Sequence, residues 1–185
     1  LRVDIIVTAG APAVRAAKEA TSSIPIVMIN VGDAVGSGFV ASLARPGGNI
    51  TGSSTLAPEL SGKRLEILKE VVPKLSRVAV FGTSTNPDNA EMLKEVELAA
   101  KALGLKLQYL DVLDRKDCEA AFRAAVKGRA QGVLMIVSGQ VGNSQRTQIL
   151  ELAAKSRLPV IYSGREYVEA GGLMSYGVNN TDLDR

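Results

Sequence analysis

The sequence has no histidine, no tryptophan and one cysteine, with only three Phe and four Tyr. Without histidine, the commonest acid/base group and metal ligand is gone. The lone Cys118 rules out an internal disulfide and leaves the redox compartment open. No apolar run is long enough to span a membrane as a helix. The net charge of +3 is small. No Lys/Arg run or aromatic interleaving appears, so nucleic acid is not expected as a partner. Paired carboxylates and a Walker-type phosphate loop are also absent. Gly32, Gly36 and Gly38 lack both the spacing and the strand-to-helix setting of a dinucleotide loop. No metal, cofactor or catalytic residue is indicated. Cys118 lies on the apolar stripe of a helix, where a core thiol is the ordinary outcome.

What is present is an alternation of short apolar runs with amphipathic segments. Val3, Ile5, Ile6 and Val7 read as a strand. A helix over Ala13 to Ala20 follows, with Pro12 in its first turn, and then a strand over Ile26 to Ile29. Strand, helix, strand at this spacing implies a right-handed parallel crossover. Next comes the stretch Asp33–Lys63, rich in Gly, Ser and Pro and mostly irregular, as a linker or binding loop would be. Within it Pro46-Gly47-Gly48-Asn49 predicts a tight turn.

Four strand–helix units follow. A helix is expected from Glu59 to Val72 and a strand over Val78 to Phe81. Asn86 and Pro87 then read as cap and first turn of another helix. Leu105 to Leu110 is a strand. Asp114 caps a helix whose stripe is Cys118, Ala121, Phe122, Ala125 and Val126, ended by Gly128. Val133 to Val137 has the continuous apolar character of a central parallel strand. A helix from Asn143 to Ser156, a strand over Val160 to Tyr162, a short helix from Arg165 and a strand over Leu173 to Tyr176 complete the pattern. The chain opens on LRVDIIV without Met and stops soon after an apparent strand. Both ends are therefore expected to be cuts within a longer protein.

In open parallel sheets, ligands bind beyond the carboxyl ends of the strands. The residues there are Thr8, Gly10, Ala11, Gly32, Asp33, Thr83, Ser84, Asn86, Ser138, Gly139, Gln140, Ser163 and Gly164. They are small and polar, and several lead into helix N-termini, which suit a carboxylate or phosphate. Asp33 is the one acid among them and could meet a ligand ammonium. Its alternative role is to cap a local turn.

Three segments carry a resemblance: IPIVMINVGDAVGSGFVASLARPGGNITG, LAPELSGKRLEILKE and REYVEAGGLMSYG. They resemble the substrate-binding proteins of ABC transporters, in particular the uncharacterised ABC-type periplasmic components. The resemblance implies an α/β chain with the type I periplasmic-binding fold, made of two Rossmann-like parallel-sheet lobes with a ligand cleft between them. On that template, residues 1–52 belong to a first lobe that is incomplete in this chain. Residues 55–163 form the second lobe, and 173–185 return to the first. The leader, the first strand–helix units and the C-terminal tail are expected to lie outside the sequence. Carried over by position, the ligand contacts are Thr8, Gly10, Ala11, Pro12, Asp33, Ser53, Ser54, Ser84, Asn86, Asn89 and Ser138. Ala11 departs from the pattern, since many relatives carry a hydroxyl residue there.

The implied function is capture of a small molecule, with an aromatic amino acid as the candidate solute, and its delivery to a membrane permease, without catalysis or cofactor. The implied protein is a monomer when full length, periplasmic or lipid-anchored at the outer face of the cytoplasmic membrane. The effector-binding domain of a lactose-repressor-type regulator shares the fold and is the competing reading. A third is an α/β enzyme with its catalytic residues in absent segments.

Overall fold

Eight strands and seven helices follow one another along the described residues, mostly in alternation. The structure is a computed structural model and describes residues 3–86, 88–137 and 139–178. Two compact units emerge, one comprising Leu1–Pro58 with Asn86–Asp88, the other Glu59–Thr85 with Asn89–Arg185.

The first unit holds β1 (Ile6–Ala9), α1 (Ala11–Ala20), β2 (Ile26–Val31) and β3 (Ile50–Ser54). The strands form one parallel sheet in the order β1-β2-β3. Val14 of α1 packs in one apolar cluster with Ile26, Met28 and Val31 of β2, Ile50 of β3, and Phe39 and Val40 from the loop after β2. Ile29 and Val7 are 42% and 61% exposed. The strand expected from Val3 begins instead at Ile6, and Val3 and Ile5 are exposed. β3 lies inside the stretch expected to be mostly irregular. Gly47 has φ +77°, the backbone a tight turn needs, while Gly48 does not take a left-handed φ.

The second unit contains most of α2 (Ala57–Val71), then β4 (Arg77–Gly82), α3 (Asn89–Leu103), β5 (Lys106–Asp111), α4 (Arg115–Lys127) and β6 (Gly132–Met135). After these come α5 (Gly139–Ser144), α6 (Arg146–Ser156), β7 (Val160–Tyr162), α7 (Arg165–Glu169) and β8 (Met174–Ser175). All five strands are parallel, in the order β5-β4-β6-β7-β8. Val78, Ala79, Val80 and Phe81 are all buried, so both faces of β4 are covered. Ala79, Phe81, Val133 and Met135 meet Phe122 of α4 and Ile149 of α6 on one face. Leu68 of α2 packs against Gly132 on the other, where an added Cβ would stand 3.2 Å from its methyl.

Several expectations change here. Leu173–Tyr176 was expected to join the first lobe's sheet, but Met174–Ser175 pairs in parallel with Ile161–Tyr162. The hydrogen bond from Tyr176 N to Tyr162 O, at 3.0 Å, extends that pairing. Its short connection through α7 delivers the strand to the nearest open edge. The helix expected from Asn86 begins at Asn89, because the Asn89 side chain turns back to accept the Thr83 N–H at 3.0 Å. The helix expected from Asn143 is two helices parted at Gln145. In α4 the cap is as expected. Asp114 accepts from the backbone of Lys116 and Asp117, and Asp117 reciprocates to the Asp114 N–H. Cys118, Ala121, Phe122 and Ala125 are buried, whereas Val126 is 52% exposed.

Arg64 of α2 is buried. Its Nε donates to Tyr176 O at 2.7 Å and its guanidinium to Ser61 Oγ at 3.2 Å. Burial lowers its pKa to about 10. Among the described residues no carboxylate lies within 4 Å of it.

Candidate functional site

Each parallel sheet gathers its short polar residues at the carboxyl ends of its strands. In the first unit, β1 delivers Thr8, Gly10, Ala11 and Pro12. Gly10 has φ +79° and stands as the N-cap of α1, a backbone that a side chain would strain. Its amide donates to Ile29 O at 3.0 Å, which ties the turn to the neighbouring strand. Thr8 is half-buried, Ala11 is buried and Pro12 is exposed in the first turn of α1.

β2 ends next to Gly32 and Asp33. The Asp33 Oδ1 accepts from the amides of Val35 at 3.1 Å and Gly36 at 2.8 Å. One of its oxygens is therefore engaged in the local turn. Ser53 Oγ accepts the Asn30 amide at 3.3 Å. Ser54 Oγ accepts from Ala34 N and donates to Gly32 O, both at 3.4 Å. These two serines fix the path of the chain leaving β2.

Asn86 groups with this first unit and accepts the Asp88 amide through its Oδ1 at 3.4 Å. Asp88, absent from the expected set, is 8% exposed. Its carboxylate accepts from Ser37 Oγ at 3.3 Å and from the Gly32 amide. Burial raises its pKa, and the hydrogen bonds from Ser37 and Gly32 offset part of that rise. Asp33 pushes it further up and Arg15 pulls it down.

The second unit's rim centres on Asp111, the last residue of β5 and likewise missed. Ser84 N donates to its Oδ1 at 2.8 Å and Ser84 Oγ to its Oδ2 at 2.5 Å. Tyr109 OH stands 3.4 Å from Oδ1, and Asn89 Nδ2 donates to Tyr109 OH at 3.2 Å. Burial pushes the Asp111 pKa up, but the hydrogen bonds from Ser84 and Tyr109 outweigh it and the net shift is downward. Burial raises the Tyr109 phenol. Asp111 stays exposed and carries a stabilised negative charge.

Thus Thr8, Gly10, Ala11, Pro12, Asp33, Ser53, Ser54 and Asn86 share the first unit, and Ser84 and Asn89 share the second. Ser138 lies outside the described residues. Tyr109 and Asp111 had a signal in the sequence: residues two apart on a strand point to the same face, and the second one ends the strand. Asp88 had none, because its partners Gly32 and Ser37 are more than fifty residues away. Among the described residues no group of three or more His, Cys, Asp or Glu is placed to hold a metal. No described helix is long and apolar enough to cross a membrane. A cavity of about 400 Å³ lies elsewhere in the second unit, walled by Leu150, Leu158, Pro159 and Leu173 near the amino ends of β7 and β8.

Comparison with known proteins gives a consistent picture. The family model for ABC transporter substrate binding protein matches residues 1–184. A tyrosine-binding protein of Clostridioides difficile (strain R20291) is 27% identical over 180 residues, 97% of this chain and 51% of that protein. A conserved domain protein from Vibrio cholerae O1 biovar El Tor superposes with a TM-score of 0.86 at 27% identity, covering 98% of this chain and 60% of that one. An ABC domain from Streptococcus pneumoniae solved with L-Trp superposes with a TM-score of 0.83 at 22% identity, covering 97% and 61%. The chain therefore spans between half and about three-fifths of the length of these relatives.

Proposed function

The chain belongs to the ABC transporter substrate-binding protein family, and from that premise we propose that the whole protein captures a small solute and hands it to a membrane permease. The observation that carries this reading is shared by both parallel sheets: each presents amides, hydroxyls and carboxylates at or near the carboxyl ends of its strands, where α/β sheets take ligands. On this reading the two compact units are the two lobes of the binder, with β8 counted in the second. Thr8, Gly10, Pro12 and Asp33 contribute contacts from one lobe, and Ser84, Asn86 and Asn89 lie on the segment that follows β4.

The family is one of transport proteins and characteristically works outside the cytoplasm. We place the full-length protein there, free or lipid-anchored, as a monomer that binds without catalysing. For the solute, the tyrosine-binding relative favours an aromatic amino acid. Polar rims of amides, hydroxyls and carboxylates match a zwitterion, which needs donors for its carboxylate and acceptors for its ammonium.

The test is a thermal-denaturation series on the full-length protein with each of the twenty amino acids. Ligand at 100 times its Kd stabilises by about 2.7 kcal/mol. That corresponds to a rise of a few °C for a protein of several hundred residues. A rise with L-tyrosine, L-tryptophan or L-phenylalanine supports the proposal. Silence across all three refutes the solute class, and a rise with a different solute would replace it.

A further inference from the structure

Asp88 is a buried carboxylate with thin compensation. It receives one amide and one hydroxyl, and the Ser37 bond is long at 3.3 Å. Among the described residues no cation lies within 4 Å of it. Arg15 acts on it only at longer range, with its guanidinium 5.6 Å from the centre of the Phe39 ring. A carboxylate kept for stability alone is ordinarily given a cation or a full set of donors, because burying the charge is otherwise strongly unfavourable.

The donors themselves have a different character. Gly32 follows the last residue of β2, and its bare Cα lets a carboxylate come against the backbone. An added Cβ would lie 2.9 Å from the Asp88 carboxyl carbon, closer than real Cβ contacts allow. Ser37 sits in the turn that Asp33 organises, where its amide donates to Asp33 O at 3.1 Å. The Val31 carbonyl, in the same peptide unit as the Gly32 amide, accepts from Thr55 N at 2.8 Å and from Thr55 Oγ1 at 3.3 Å, which holds that peptide in place. A fixed amide, with a hydroxyl on an ordered turn beside it, at the carboxyl end of a parallel strand has the fittings of an anion subsite.

We propose that the Gly32 amide and the Ser37 hydroxyl form the first unit's subsite for a ligand carboxylate, and that Asp88 fills it as an internal stand-in until ligand displaces it. This rests on the amino-acid reading of the function. The stand-in keeps the two donors paired in the free protein, and ligand binding then exchanges one carboxylate for another. Its consequence is a direction: Asp88 competes with the ligand, so removing its carboxylate tightens binding.

The experiment is calorimetric titration of the full-length protein, its Asp88→Ala variant and the Asp88→Ala/Ser37→Ala double variant. L-Tyrosine is the probe, and tyramine, which lacks the carboxylate, is the control. L-Tyrosine is expected to bind Asp88→Ala about tenfold tighter than wild type, and severalfold more weakly once Ser37 is also removed, with tyramine indifferent to both changes. Should Asp88→Ala fail to fold, Asp88→Asn decides, since a neutral amide competes less and is expected to tighten binding by a smaller factor. Unchanged or weaker L-tyrosine binding by the folded Asp88 variant overturns the stand-in while the transporter reading survives. Failure of the wild type and every variant to bind L-tyrosine, L-phenylalanine or L-tryptophan overturns the aromatic amino-acid reading and this subsite together.

Discussion

Gly52 sits within β3 at φ +142°, a backbone essentially reserved for glycine. Replacing it with alanine would set the new Cβ onto the Met28 carbonyl of β2, overlapping the oxygen and standing 2.8 Å from the carbonyl carbon. The obstacle is backbone, so no side-chain rotation relieves it. Holding alanine at this φ costs about 1–3 kcal/mol. Moving β3 away from β2 loses ladder bonds worth about 0.5–1.5 kcal/mol each. With two ladder bonds lost the sum is about 2–6 kcal/mol, which at roughly 2–4 °C per kcal/mol lowers the melting temperature by about 4 °C or more.

The control is Gly48→Ala. Nothing lies within 4 Å of the added Cβ, and Gly48 does not take a left-handed φ. There the lost freedom of the unfolded chain makes alanine neutral or stabilising by up to about 1 kcal/mol. Thermal melts by amide circular dichroism compare the two. If Gly52→Ala melts within about 2 °C of the wild type, the steric reasoning fails, because so small a change is under 1 kcal/mol for a chain of this size.

Two further outcomes follow from buried groups. Cys118 is 1% exposed and its thiol pKa is raised by burial, so a thiol reagent should label the folded protein far more slowly than the unfolded one. Equal rates would show that the helix does not hold it in the core. Asp88, faced by Ser37, the Gly32 amide, Asp33 and Arg15, has a raised pKa, so the fold favours its protonated form. Its contribution is fully present below the ordinary carboxylate range and is lost as pH rises through the folded pKa. Asp88→Asn should therefore gain stability on the wild type as pH rises above about 4, and melts at several pH values check the sign. A variant that instead loses ground over that range would contradict it.

The parts of the fold legible in the sequence are those decided locally. Asp114, Cys118, Phe122 and Gly128 show the start, buried face and end of α4 within fifteen residues, and Val133 to Met135 announce a covered strand by their unbroken apolarity. β3 was not legible. Ile50 to Ser54 contain one large apolar residue beside Gly and Ser, and what makes them a strand is pairing with β2. β8 is similar, since two residues cannot specify which sheet they join. At the candidate site, chain position relative to strand ends identified the rims. It could not show which hydroxyls and carboxylates the protein uses on itself, as Ser84 does on Asp111, because those partners are assembled across the chain.

All four tyrosines, Tyr109, Tyr162, Tyr167 and Tyr176, belong to the second unit, and there is no tryptophan. Tyr162 and Tyr167 stack with ring centroids 4.6 Å apart and planes 9° from parallel. Two phenols locked in one orientation give an asymmetric near-ultraviolet signal that vanishes when their packing is lost. That signal, and the tyrosine emission, report on the second unit alone. The first unit is optically silent apart from Phe39, so its melting passes unseen in any experiment that watches aromatic light. A tryptophan introduced at Phe39 would give it a voice.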